Sequence, residues 1–123
     1  MVNSFPKQGD LVFMDAEPHS GSEIGGHLPE KGNIRRPFLI LSRDSYNSKT
    51  GRVYAMAISH VHREGISWRR RFVDFDSKIN GDLILNQVPM YSYHSRHGEI
   101  VGQCKDRKLM EELCKIVSSI FDL

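Results

Sequence analysis

The sequence predicts a small, mainly β domain, with five or six strands in antiparallel hairpins rolled into a partly open barrel and one C-terminal helix packed on the sheet. Three observations point there. Short apolar or alternating segments recur along most of the chain, separated by turns that carry glycine, asparagine or proline. Sustained helical periodicity comes only at the end, where Leu109, Leu113, Ile116 and Ile120 repeat with Met110 and Val117 alongside, behind Asp106 as a helix N-cap. The 123 residues suffice for one hydrophobic core and are too few for two, so 1–123 reads as a single domain.

Taken in order, Gly9-Asp10 is a turn, and the continuous apolar run Leu11-Val12-Phe13-Met14 is a strand buried on both faces. Pro18 and Gly21 end it and open a long polar loop. Pro37 starts a second strand over 38–42, since a strand's first residue needs no ladder N–H. Residues 43–47 are a short irregular or single-turn segment, and Asn47-Ser48-Lys49-Thr50-Gly51 supplies a turn with Gly51 free to take a positive φ. A third strand over 52–59 has Tyr54, Met56 and Ile58 on one face and Val53, Ala55, Ala57 and Ser59 on the other; its two alanines suggest close approach by another element. After a loop at 60–65, a fourth strand covers 68–76, Asn80-Gly81 is a two-residue hairpin turn, and 83–88 returns as the fifth strand. The stretch 89–97 is ambiguous, 99–102 is a short edge strand, and Cys104 and Cys114 are buried thiols between the strands and the helix.

Hydrophobic residues at 39% and charged residues at 26% exclude a disordered chain, and the longest apolar runs are too short to cross a bilayer. The start Met1-Val2-Asn3-Ser4-Phe5-Pro6-Lys7 lacks the basic head and apolar core of a secretory signal, and two cysteines make no dense disulfide framework, so a reducing cytoplasm is expected. The net charge of +2 does not by itself mark a nucleic-acid binder, but Arg35-Arg36, Arg52, Arg63 and Arg69-Arg70-Arg71 concentrate guanidinium groups in the first two thirds, which suits an anionic partner.

Candidate chemistry gathers in two places. The glycine-rich loop from Glu17 to His27 carries Glu23, His19 and His27 and runs into Arg35-Arg36-Pro37; ordering such a loop costs entropy that a bound ligand would offset. The other place follows Ser59, where His60 and His62 have the pKa range for proton transfer and Trp68 with Arg69-Arg70-Arg71 can stack a base and hold phosphates. His60-x-His62 and His94-x-x-His97 lack a cysteine or carboxylate at ligand spacing, so no metal and no other cofactor is expected.

In this order the residues resemble the MazF/PemK (Kid-like) toxins of type II toxin–antitoxin modules. The resemblance rests on Gly9-Asp10-Leu11-Val12, Asp15-Ala16-Glu17-Pro18 with Gly21-Ser22-Glu23, Arg36-Pro37 before Phe38-Leu39-Ile40-Leu41-Ser42, Tyr46-Asn47 with Thr50-Gly51, Ala57-Ile58-Ser59, and Asn86-Gln87-Val88. It implies an SH3-like barrel that homodimerises, cuts single-stranded mRNA at short sequences without a metal, and is neutralised by a small antitoxin, through which alone it would touch DNA. Arg36 is then the stabiliser of the phosphorane, Ser59 the hydroxyl that holds the phosphate, and Glu23 a base or an orienting partner of Arg36. RNA contacts are expected from His19, Ser22, His60, Arg69, Arg70 and Gln87. The chain departs from the family pattern at Ile24, in an insertion over 28–33 and in a longer loop after Ser59, so a cleavage sequence does not carry over. Two other readings stay open, a CcdB-like toxin that poisons gyrase by binding it and a barrel that binds nucleic acid without cutting it.

Overall fold

The computed structural model describes residues 4–16 and 34–123. Their elements run β1 (Asp10–Asp15), β2 (Arg35–Ile40), α1 (Asp44–Thr50), β3 (Arg52–Ser59), β4 (Arg69–Asp74), β5 (Ile79–Ile84), β6 (Met90–Ser92), β7 (Glu99–Gln103) and α2 (Arg107–Ser119). The sheet order is β4-β5-β3-β2-β1-β7, every pairing is antiparallel, and β6 adds to β3, which makes a half-barrel with a C-terminal helix. Among the described residues no helix is long and apolar enough to cross a membrane.

Both faces of the central strands are covered. Val12, Met14, Phe38, Ile40, Val53 and Ala55 pack with Tyr91 and Tyr93 on one side, and Leu11, Leu39, Met56, Ile58, Phe72 and Leu83 pack with Leu109 and Leu113 on the other. That is why Leu11 and Val12, adjacent in sequence, are both fully buried, as the unbroken apolar run required. Each such side chain contributes about 1.5–3 kcal/mol by leaving water. β3 spans the expected residues, and its alternation splits Val53, Ala55 and Ala57 from Met56 and Ile58 as read. α2 begins as expected: the Leu109 amide donates to the Asp106 side chain at 3.0 Å. Cys104 and Cys114 are free and half-buried, and burial raises both thiol pKa values.

Three expectations change. β2 starts at Arg35, ahead of Pro37, because Asp15, Met14 and Phe13 of β1 pair with Arg35, Arg36 and Pro37; β3 joins only from Phe38, so the proline costs that second ladder nothing. The expected turn at 47–51 is the body of α1. The buried Asn47 amide donates to the carbonyls of Pro6 (2.9 Å) and Ser42 (3.1 Å), contacts invisible in a local reading, and Gly51 at φ 72 closes the helix by donating its N–H to the Asn47 carbonyl.

The third change is the hairpin. Asn80-Gly81 lies inside β5, and the chain reverses at residues 75–78, with Lys78 at φ 65 and Asp74 accepting from the Ser77 amide (2.9 Å) and hydroxyl (2.6 Å). β5 is consequently at 79–84 instead of 83–88. Gly81 is glycine for a different reason: a Cβ there would sit 1.8 Å from the Ser59 carbonyl oxygen and 3.0 Å from the His60 Cα. Two backbones touch at that point, at the end of β3. Gly81→Ala should therefore destabilise the fold by about 3 kcal/mol or more, because backbone and not a flexible side chain must yield; urea unfolding of the variant against wild type measures it.

Candidate active site

The pairing of Phe38 with Ala57 fixes what stands at the open ends of the two central strands. Continued two residues outward, that antiparallel register sets Arg36 of β2 opposite Ser59 of β3. Both border one cleft of about 250 Å³, walled further by His60, Val61, Arg63, Trp68, Arg69 and Gln87. Arg36 and His60 also border a neighbouring hollow of about 300 Å³ lined by Phe13, Pro37, Ser77, Lys78 and Asn80, so these two residues form the ridge between two depressions.

The adjacent arginines have different fates. The Arg35 guanidinium donates to Asp15 at 3.0 Å and lies 3.7 Å from Glu99, with His97 Nδ1 2.7 Å from the other Asp15 oxygen. Its charge is spent on fastening the base of the β1–β2 connection, where the Ala16 amide also donates to the Ile34 carbonyl. Arg36 makes no ion pair among the described residues, and its Nε is buried without a hydrogen-bond partner. A permanently charged guanidinium that presents a partnerless, buried Nε at an open cleft suits an anion. The Ser59 hydroxyl accepts from the Val61 amide (3.2 Å) and donates to the Val61 carbonyl (3.3 Å), which turns the chain out of β3 and sets that oxygen on the cleft.

The arginine run at 69–71 does not act as one patch. Strand alternation sends neighbours to opposite faces. Arg69 turns inward at the cleft wall, where its Nε donates to Asp82 at 2.9 Å and a terminal N–H donates to the Val61 carbonyl at 2.6 Å. Arg70 shares the face of Phe72 and pairs at 2.7 Å with Glu112 of α2. Together with Arg71 it borders a separate depression beside Lys105 and Leu109, so neither Arg70 nor Arg71 reaches the cleft. Of the other expected contact residues, His60 and Gln87 line the cleft, and Glu23, His19 and Ser22 lie outside the described residues, as do Ile24 and the insertion at 28–33.

One residue escaped the sequence reading. Asp82, between the expected Asn80-Gly81 turn and the expected strand from 83, is fully buried in β5 and pairs across the ladder with Ser59. One carboxylate oxygen lies 2.6 Å from His62 Nδ1; the other accepts from the Arg63 amide at 2.8 Å and from Arg69 Nε. Burial pushes the carboxyl pKa up, but those bonds outweigh it and hold the value at about 2. His62 Nε2 meets Glu64 at 2.6 Å, and the bonds to Glu64 and then Asp82 raise the imidazole pKa above its ordinary 6.5. His62 is thus committed to two carboxylates and does not line the cleft. The available signal is an aspartate directly before the apolar pair Leu83-Ile84, where a buried charge needs a partner.

The molecule is a helix-backed β half-barrel with a cationic cleft at the ends of its two central strands. Residues 7–121 match the PemK-like, MazF-like toxins of type II toxin–antitoxin systems, and the chain belongs to that family. It is 44% identical over 52 residues to the endoribonuclease toxin MazF of Escherichia coli K12, a match covering 42% of this chain and 40% of that relative's length. A MazF crystal structure from Deinococcus radiodurans superposes with a TM-score of 0.79 at 22% identity, over 98% of this chain and 99% of the other. A MazE-MazF structure from the same organism gives 0.71 at 21%, over 94% of each chain. The expected barrel and the family resemblance are borne out.

The Asp82 cluster predicts an acid limb in stability. A lowered carboxyl pKa contributes stability that is complete above the ordinary value near 3.8 and is lost as pH falls towards about 2. Thermal unfolding between pH 5 and 2 should show Asp82→Asn with a shallower decline than wild type over that window.

Proposed function

We propose that the protein is the toxin of a type II toxin–antitoxin module and works as a metal-independent, sequence-specific endoribonuclease that cuts single-stranded mRNA. The observation that carries this reading is the partnerless buried Nε of Arg36 beside the Ser59 hydroxyl on an open cleft. In the proposed reaction the 2′-oxygen attacks the adjacent phosphorus, its proton passes to a base, the P–O5′ bond breaks, and the leaving 5′-oxygen is protonated. Products are a 2′,3′-cyclic phosphate and a 5′-hydroxyl. Arg36 holds the extra negative charge of the phosphorane, a task its planar fork performs without a metal ion, and Ser59 binds a non-bridging oxygen. His60, exposed on the ridge, is the imidazole placed to pass the proton. Glu23, as base or as orienting partner of Arg36, and Ser22, as an RNA contact, are proposed from the family pattern, and His19 as an RNA contact from its place in the same loop.

The ridge suits a strand whose scissile phosphate lies on Arg36 and whose flanking nucleotides enter the two hollows. Gln87 and Trp68 offer an amide edge and a stacking ring on one side. Arg69 acts through the wall it braces, whereas Arg70, paired with Glu112 away from the cleft, is left outside the proposed RNA path. The antitoxin is proposed to be an acidic segment that orders over this cleft, at the site of action in the cytoplasm; a MazF relative has been crystallised with MazE.

Homodimerisation is proposed through the apolar groove between β3 and α2, about 350 Å³ and lined by Leu41, Tyr54, Val88, Val117, Ile120 and Phe121. Phe121 is 77% and Ile120 59% exposed in the single chain, an apolar surface that a second copy would cover. Light scattering at micromolar concentration should give twice the mass of one chain, and Phe121→Asp should shift it towards one; a wild-type monomer that still cleaves RNA refutes the interface.

Arg36→Ala should lose on the order of a hundredfold in cleavage while folding normally, and Ser59→Ala should lose less. Incubation with a long RNA in EDTA, followed by mapping of the cut ends, checks both the activity and the cyclic phosphate. Full cleavage by folded Arg36→Ala refutes the mechanism, and uncut RNA with wild-type protein refutes the endoribonuclease.

A further inference from the structure

The wall of the cleft opposite β2 is the connection from β3 to β4, residues 60–68, which has no strand or helix of its own. A segment of that kind holds a shape only where its backbone and side chains are tied down. Its described ties are few. Ser59 turns the first residues, the Arg69 amide donates to the Ile66 carbonyl at 3.1 Å, and the Leu85 amide donates to the Trp68 carbonyl at 2.8 Å. Apart from the local His62–Glu64 contact, the other described ties converge on one buried carboxylate. Asp82 takes the His62 ring on one oxygen and the Arg63 amide and Arg69 Nε on the other, and Arg69 in turn reaches the Val61 carbonyl. Val61, His62, Arg63 and Arg69 are therefore all held, directly or by one step, from a single atom group on β5, at the ladder position facing Ser59. The neighbouring Gly81 lets the β5 backbone come close enough for that reach.

We propose that Asp82 is a positioning residue for this cleft: through His62, Arg63 and Arg69 it fixes the 60–68 wall, and with it His60, Arg63 and Trp68, against the Arg36–Ser59 pair. The proposal rests on the endoribonuclease reading for its catalytic consequence, though not for the geometry. Asp82 itself is buried and touches no substrate. The groups around it and its His62 partner are the Arg63 backbone amide and the Arg69 guanidinium on the Asp82 side and Glu64 on the far side of the ring, so the cluster carries compensating charge and gains nothing as a site for a ligand of its own. What it supplies is order. A wall displaced by about an ångström misplaces groups that must meet one phosphate, which is enough to cost on the order of tenfold to a hundredfold in rate.

Trp68 is the only tryptophan of the chain and half of its surface is exposed on this wall, so its fluorescence reports the wall directly. Asp82→Asn keeps the shape and removes the charge that takes three donors; His62→Gln removes one tie from the exposed side and leaves Arg69 in place. Each variant is first shown to unfold cooperatively. In both, acrylamide should quench Trp68 more readily than in wild type, and kcat on a short single-stranded RNA should fall, on the order of tenfold for Asp82→Asn and less for His62→Gln, with KM little changed. Unchanged quenching with unchanged kcat in a folded variant overturns the proposal, and so does either change without the other. If Asp82→Asn does not fold, His62→Gln decides alone. If wild type cuts no RNA, the endoribonuclease reading fails separately; Trp68 quenching and the affinity for a single-stranded oligonucleotide then decide whether Asp82 holds the wall, and no change in either overturns it.

Discussion

The antiparallel register of β2 on β3 is the constraint on which the rest depends. Phe38 opposite Ala57 buries Phe38, Ile40, Val53 and Ala55 on one face and Leu39 and Met56 on the other, and a slip by one residue would exchange the two sets between cores of different shape. The same register sets Arg36 level with Ser59. Packing energy spread over the apolar side chains of both cores thus fixes the relative position of two polar ones at the strand ends.

Charge is distributed with equal consequence. Arg35 is neutralised by Asp15, Arg69 by Asp82 and Arg70 by Glu112, each at hydrogen-bond distance. Among the described arginines around the cleft, Arg36 alone has a buried donor atom without a partner. Exposed pairs such as Arg70 with Glu112 add little to stability, whereas the buried Asp82 cluster carries a charge that would be very costly alone. The donors from His62, Arg63 and Arg69 make that burial tolerable and at the same time lock a connection that has no regular structure.

β5 joins these two themes. Its Gly81 accepts the backbone of Ser59 and His60 at a distance no side chain permits, and its Asp82 holds His62 and Arg63 just beyond them. The end of β3 is therefore gripped by its neighbour from both backbone and side chain, at the place where the chain leaves the sheet to form the cleft wall.

The sequence by itself determined the class of fold, the two-faced burial of β1, the bounds and faces of β3 and the start of α2 at Asp106. These follow from periodicity and capping, which act over a few residues and leave their mark in local order. Tertiary structure alone decided that Asn47 ties a short helix to the Pro6 and Ser42 carbonyls, that Gly81 serves a backbone contact instead of a turn, that Arg70 faces α2, and that Asp82 anchors a loop about twenty residues away in sequence. In each of these the deciding partner lies on another element, and the identity of a residue does not say which partner the fold will bring to it.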